Sequence, residues 1–310
     1  MKTRTSLILL AVAVVAVFAF LCAPAANAAF WYDTPTTSAF IDVVATWVNG
    51  SDGTGTNPPL MPVSGDADTW VIRGNTRIKA APAAGTFYGG TLKIIDLPTD
   101  DGELLLNKVD FTVQDVILDG GFVNIITTST TKWKLSGKTI TLNSGGFGQE
   151  INYATRTVQY DFDTYKGSGD IYLVARYNGA TTTSKLGNIL FTGGGDFSDF
   201  DGMFYIGDST TAGFDYNITE DTFGITVQDL GGTSFHARYN LLNTVKVKSL
   251  TLGTESIPAG TYTFGDFTTA QQAYFKTGTG TIIVTPEPAT LGLLAAGGLM
   301  VLRRRRVRRA

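Results

Sequence analysis

The sequence predicts an all-β fold, a right-handed parallel β-helix, on three observations. Short runs rich in Val, Ile, Thr, Tyr and Phe follow one another along the body of the chain, and no segment keeps apolar residues at three- and four-residue intervals. That is the pattern of strands, not of amphipathic helices. Many of these runs are separated by only two to five residues, as along 92–142. Gly-Gly pairs begin at Gly89, Gly120, Gly145, Gly193 and Gly231, in steps of 31, 25, 48 and 38 residues. Stacked rungs of about 24 residues would carry such spacing, each with three short strands and a glycine where the chain turns a corner. A β-sandwich or jelly roll is the alternative, because Asn49-Gly50, Asp119-Gly120 and Asn178-Gly179 are hairpin-turn signals.

In chain order, the first element is an address. Lys2 and Arg4 precede an unbroken apolar stretch over 6–21, and Ala26-Asn27-Ala28 then supplies small residues at alternate positions. This layout predicts a secretory signal peptide over 1–28, with a signal helix, and cleavage that leaves Ala29 as the first residue of the exported chain. Cleavage also removes Cys22, the single cysteine. Phe20 and Leu21 stand before it where a lipoprotein needs small residues. The exported chain then has no disulfide, no cysteine nucleophile and no cysteine–zinc site.

The body, 29–284, is read as strands at 69–72, 91–95, 103–106, 111–113, 116–118 and 122–126, apolar runs mostly rich in β-branched or aromatic residues. Further strands fall at 132–135, 139–142, 158–162, 171–177, 189–191 and 203–206, then at 224–227, 244–252, 261–264 and 281–284. Between them, Gly195 to Gly202 reads as a glycine-bounded acidic loop.

The final segment, 285–310, is the most specific. Pro286, Glu287 and Pro288 lead an uncharged apolar run over 289–302, followed by Arg303, Arg304, Arg305 and Arg306, with Arg308 and Arg309 beyond. Arginines after an apolar segment hold a chain end in a membrane with the basic tail in the cytoplasm. The run spans 14 residues, short against the roughly 20 of a full transmembrane helix. This three-part order resembles the sorting tail of the PEP-CTERM proteins of Gram-negative bacteria. The resemblance implies recognition and cutting by an exosortase-type membrane protease, with a transient inner-membrane anchor and delivery to the cell surface or extracellular matrix. Upstream, residues 89–121 resemble β-helical surface proteins of the autotransporter and planctomycete type. Residues 257–263 with 278–284 resemble the closing rung that such proteins place before a sorting tail.

Removing both ends changes the charge. Eight of the 24 Lys and Arg lie in 1–28 and 303–310, and all 27 Asp and Glu lie between Ala29 and Pro288, so the body released between those ends carries a net charge near −11. That charge repels nucleic acid and anionic polysaccharide. The single histidine, His236, stands two residues from Ser234, and no G-x-S-x-G elbow is present, so nothing assembles a Ser-His-Asp triad. With one histidine and no thiol, the sequence offers no His/Cys set for a transition-metal site.

Carboxylates are the remaining candidates. Asp161 and Asp163 alternate along one strand, so both point to one side, as an acid and base acting on a polysaccharide would. They are the only catalytic candidates, and the lyase or hydrolase pattern of Asp, Arg and His at fixed spacing is missing around them. Asp196, Asp199 and Asp201 are candidate calcium ligands, because clustered oxygens suit Ca²⁺, although their spacing is not that of an EF-hand. No other cofactor is implied. The sequence therefore predicts an exported structural or adhesive protein whose partners are signal peptidase, an exosortase-type protease, the membrane and extracellular polysaccharide. A polysaccharide-active β-helix enzyme and a calcium-stabilised adhesin are its alternatives.

Overall fold

A computed structural model of the chain describes residues 29–33, 41, 46–49, 55–59, 67–73, 77–79, 85–97, 100–107, 110–127, 133–151, 156–176, 187–207, 209–228 and 237–286. These residues are mostly strand, in a large mixed sheet of 21 strands and a smaller one of three. Residues 1–28 and the tail beyond Pro286, which carry the signal and sorting expectations, lie outside them. No helix among the described residues is long and apolar enough to cross a membrane.

Most pairings are parallel and fall into three ladders. The first runs through Thr69–Ile72, Thr91–Leu97, Asp115–Thr127, Trp133–Ile151, Arg156–Gly167 and Asp196–Phe200. Its register aligns Thr91, Asp115, Thr139 and Thr164, at offsets of 24, 24 and 25 residues. The second runs through Arg77–Lys79, Glu103–Asn107, the later halves of Asp115–Thr127 and Trp133–Ile151, then Asp170–Arg176, Met203–Ile206, Gly224–Val227 and Ser249–Leu252. The third joins Phe111–Thr112 to the start of Trp133–Ile151, then to Arg156–Gly167, Gly187–Phe191, Thr210–Phe214, Arg238–Asn240 and Phe275–Lys276.

Alternation along each strand puts every second side chain inside. Trp70, Leu92, Val116, Ile140 and Tyr165 occupy one register position of the first ladder, and all are buried. Leu104, Val123, Phe147, Leu173, Ile206, Val227 and Leu252 do the same in the second. Phe111, Leu135, Tyr160, Phe191 and Phe214 do so in the third. The three inner faces meet. Phe191 of the third ladder lies 5.6 Å from Phe147 of the second and 5.8 Å from Tyr165 of the first, between ring centroids. Phe197 stacks on Tyr165 at 4.1 Å with the planes 6° apart, and it also meets Phe204, Phe214 and Phe223 edge-on or tilted. Aromatic pairs of this kind contribute about 0.5–1.5 kcal/mol each beyond the area they bury.

Several polar groups inside this core have partners. The Tyr160 hydroxyl lies 3.0 Å from the Gly148 carbonyl and 3.1 Å from that of Val123. Buried Asn124 donates to Glu103, and buried Gln149 accepts from the Asn188 amide at 2.7 Å. At the N-terminal end, Arg73 donates from Nε to Asp33 Oδ1 at 3.0 Å and from its guanidinium to the Asp33 carbonyl, with the Tyr32 ring 5.7 Å beneath it. Pairing and hydrogen bonding together make burial of these charges tolerable.

Corners need glycine. Gly120, Gly145 and Gly167 stand where the chain leaves the first ladder, with φ of 104°, 105° and 105°. A Cβ on Gly145 would lie inside contact distance of the Gly121 carbonyl, and one on Gly167 inside that of Leu142.

The ends differ from the middle. Phe30–Asp33 pairs parallel with Thr69–Ile72 and antiparallel with Trp47–Val48. Gly260–Thr263 pairs antiparallel with Thr281–Val284, which pairs parallel with Thr244–Val247.

Two sequence expectations are corrected. Asp119-Gly120 is not a hairpin turn. It lies within the continuous strand Asp115–Thr127, whose residues on either side of Gly120 belong to different ladders. The stretch around Asp196 is not a loop but the strand Asp196–Phe200, with Phe197 and Phe200 fully buried and a register shift opposite Thr164 and Lys166. That shift is a β-bulge, which breaks strict alternation and so hides the strand from a period-two reading.

Candidate functional site

The predicted site residues are placed by the outer faces of the ladders. Asp161 and Asp163 both point away from the core, on either side of buried Phe162. Asp161 is engaged: Lys134 Nζ donates to its Oδ2 at 2.8 Å from the neighbouring strand, and its other oxygen faces Gly193 so closely that a Cβ there would collide with it. Asp163 is exposed. Asp196, Asp199 and Asp201 are all exposed, and two of them turn to different lysines. Asp199 lies 3.8 Å from Lys166, and Asp201 pairs with Lys248, which also donates to the Asp201 carbonyl at 3.0 Å. Among the described residues no group of three or more His, Cys, Asp or Glu side chains converges as a metal site. Asp208, Ser234 and His236 lie outside the described residues.

These pairs follow one rule. Lys93 with Asp119 and Lys246 with Asp221 have the same form, at 2.7 Å and 3.2 Å, each joining two rows of the outer surface. With both partners partly exposed, each stabilises by about 0–1 kcal/mol. Their arrangement along the ladders is that of solvated cross-strand charge, which fixes register and keeps like charges apart.

The structure brings other residues together that the sequence reading passed over. A groove of about 610 Å³ opens where Thr86 bridges Thr112 and where Thr91 pairs with Asp115. Thr86, Tyr88, Thr91, Thr112, Gln114 and Asp115 line it. The backbone around it is tied down, because the Phe87 amide donates to the Thr112 carbonyl at 2.8 Å and the Thr112 amide donates to that of Gly85 at 2.9 Å.

Tyr88 is 52 % exposed although it follows a fully packed phenylalanine. The cause is Gly89. A Cβ at that position would lie 2.7 Å from the Trp70 ring and 2.5 Å from Phe87, so the backbone rests directly on an aromatic floor and the Tyr88 ring is left outside. That floor is built from Trp47, Trp70 and Phe87, with Trp70 edge-on to the other two at 5.0 and 5.6 Å.

The groove therefore offers an exposed aromatic ring, threonine hydroxyls, one carboxamide and one carboxylate. A ring with a polar edge beside neutral hydrogen-bonding groups suits a polyhydroxylated ligand. Hydrolysis of a glycosidic bond takes two carboxyl groups, and among the described residues the lining supplies one, Asp115.

No protein-family model, curated protein or solved structure matches the chain.

Proposed function

We propose that this chain is an exported structural protein of the cell surface or extracellular matrix, which associates with neutral polysaccharide. The observation that carries the reading is the C-terminal order of Pro286, Glu287 and Pro288, an apolar run, and Arg303 to Arg306. In this reading signal peptidase removes 1–28, the tail holds the chain briefly in the inner membrane, and an exosortase-type protease releases the body to the outside. The body is a three-sided right-handed β-helix. Three parallel ladders around one aromatic core favour it over a sandwich or jelly roll, where neighbouring strands run mostly antiparallel. The right hand follows from the general handedness of parallel crossovers.

Intact-mass analysis of the protein recovered from the culture medium or the cell surface tests the processing. The expected chain begins at Ala29 and ends near Pro288, without the arginines. A full-length chain dissolved in the cytoplasm, carrying Met1 and Ala310, would defeat the proposal.

The polysaccharide contact is tested separately. A body of charge near −11 favours neutral glycans over acidic ones. In affinity electrophoresis through gels containing a neutral glucan, Tyr88→Ala is expected to weaken retardation about tenfold, the worth of one aromatic contact. Asp161→Asn, on a different part of the surface, should run like the parent chain. Equal retardation of the parent chain and Tyr88→Ala would remove the groove from the reading.

A further inference from the structure

The start of the exported chain and the geometry at Asp68 converge. The sequence places signal cleavage between Ala28 and Ala29. Independently, the structure puts the Ala29 nitrogen 2.7 Å from Asp68 Oδ1. The other oxygen of the same carboxylate, Oδ2, accepts from the Trp31 indole Nε1 at 2.8 Å. The site is held from the backbone as well: the Thr69 amide donates to the Ala29 carbonyl at 2.9 Å, and the Thr91 amide donates to the Asp68 carbonyl at 3.1 Å. Ala29 is thus gripped at its nitrogen and its carbonyl one residue before Phe30–Asp33 enters the sheet against Thr69–Ile72. Trp31, which orients the carboxylate, packs 6.0 Å from Trp70, between ring centroids.

We infer that Asp68 is the binding site for the α-ammonium group that cleavage creates at Ala29. Hydrolysis of the Ala28–Ala29 peptide bond converts a neutral amide N–H into an amine. That amine takes up a proton at neutral pH, since its ordinary pKa is about 8. The new cation arises at the atom already against the carboxylate, so a neutral hydrogen bond becomes a charge-assisted one without movement of the chain. Removal of the signal then locks the first strand onto the sheet and ties up the new terminus.

The inference rests on the signal-peptide reading, and its test separates the two. The full chain is exported from a Gram-negative host and its N-terminus is read by mass spectrometry. It is then treated near neutral pH with an acylating reagent selective for α-amines, and the rate of labelling at the N-terminal peptide is followed. Labelling of the folded parent chain is expected to be about tenfold slower than in Asp68→Asn, because the amine must leave a charge-assisted bond before it reacts. In urea the two chains should label alike.

Equal rates in the folded proteins, with the chain beginning at Ala29, would overturn the inference and leave the signal reading intact. A chain beginning at any other residue would overturn both. Should Asp68→Asn fail to fold, one serine inserted after Ala28 moves the amine about 3.8 Å along the chain. Fast labelling of that chain is then the expected result, and protection equal to that of the parent chain would count against the assignment.

Discussion

Replacing Gly145 by valine should unfold the protein or cost at least about 4 kcal/mol, through backbone strain and overpacking together. Its φ of 105° is one that a β-branched residue does not adopt, and its Cβ position is already filled by the Gly121 carbonyl of the neighbouring row. Neither problem relaxes locally. The residues before Gly145 are paired with Asp115–Thr127 and Arg156–Gly167, and those after it with Asp115–Thr127 and Asp170–Arg176. Any shift must therefore break register in two ladders at once. The control is Gly194→Ala. Gly194 also has a positive φ, 78°, but its Cβ position meets nothing within 4 Å. Only the conformational penalty applies there, about 1 kcal/mol. Chemical denaturation followed by circular dichroism separates the two, and similar midpoints would contradict the corner geometry.

The second large effect is on pH. Burial pushes the Tyr160, Tyr165 and Tyr239 phenols well above the ordinary tyrosine range, since the charged phenolate would sit in an apolar core. In the unfolded chain the same groups titrate near 10. A folded pKa raised above the unfolded one means that the folded state retains protons which the unfolded state gives up. The stabilisation is therefore complete below about pH 10 and is lost as pH rises beyond it. Each group removes about 1.4 kcal/mol per pH unit, so the three together remove about 4. Alkaline unfolding should be abrupt, with a step in tyrosinate absorbance that coincides with loss of the strand signal. Smooth ionisation of all 12 tyrosines around pH 10 in a chain that stays folded would refute the burial of these three.

Strand positions were largely legible, for a physical reason. Where one face is buried and the other solvated, apolar side chains recur at every second residue. Gly187–Phe191, Met203–Ile206 and Thr244–Val247 show that pattern in their burial. Two of the strands that escaped lack it. Thr210–Phe214 is buried at every position, with four small residues before its phenylalanine, so nothing alternates. Asp196–Phe200 carries a bulge, which puts its two phenylalanines three residues apart. The groove was not legible at all. Tyr88 looks like one more aromatic of a β-rich chain, and it faces solvent because Gly89 lies flat on Trp70 and Phe87, which come together only in the fold.

What the chain alone determined was its element type, its net acidity and its terminal signatures, because these depend on residue kind and on spacing over a few positions. Pairing partners, the engagement of Asp161 by Lys134, and the approach of Ala29 to Asp68 across 39 residues were decided by tertiary structure. Each depends on which rows lie side by side. That is set by shared burial of distant aromatic side chains, and no local pattern encodes it.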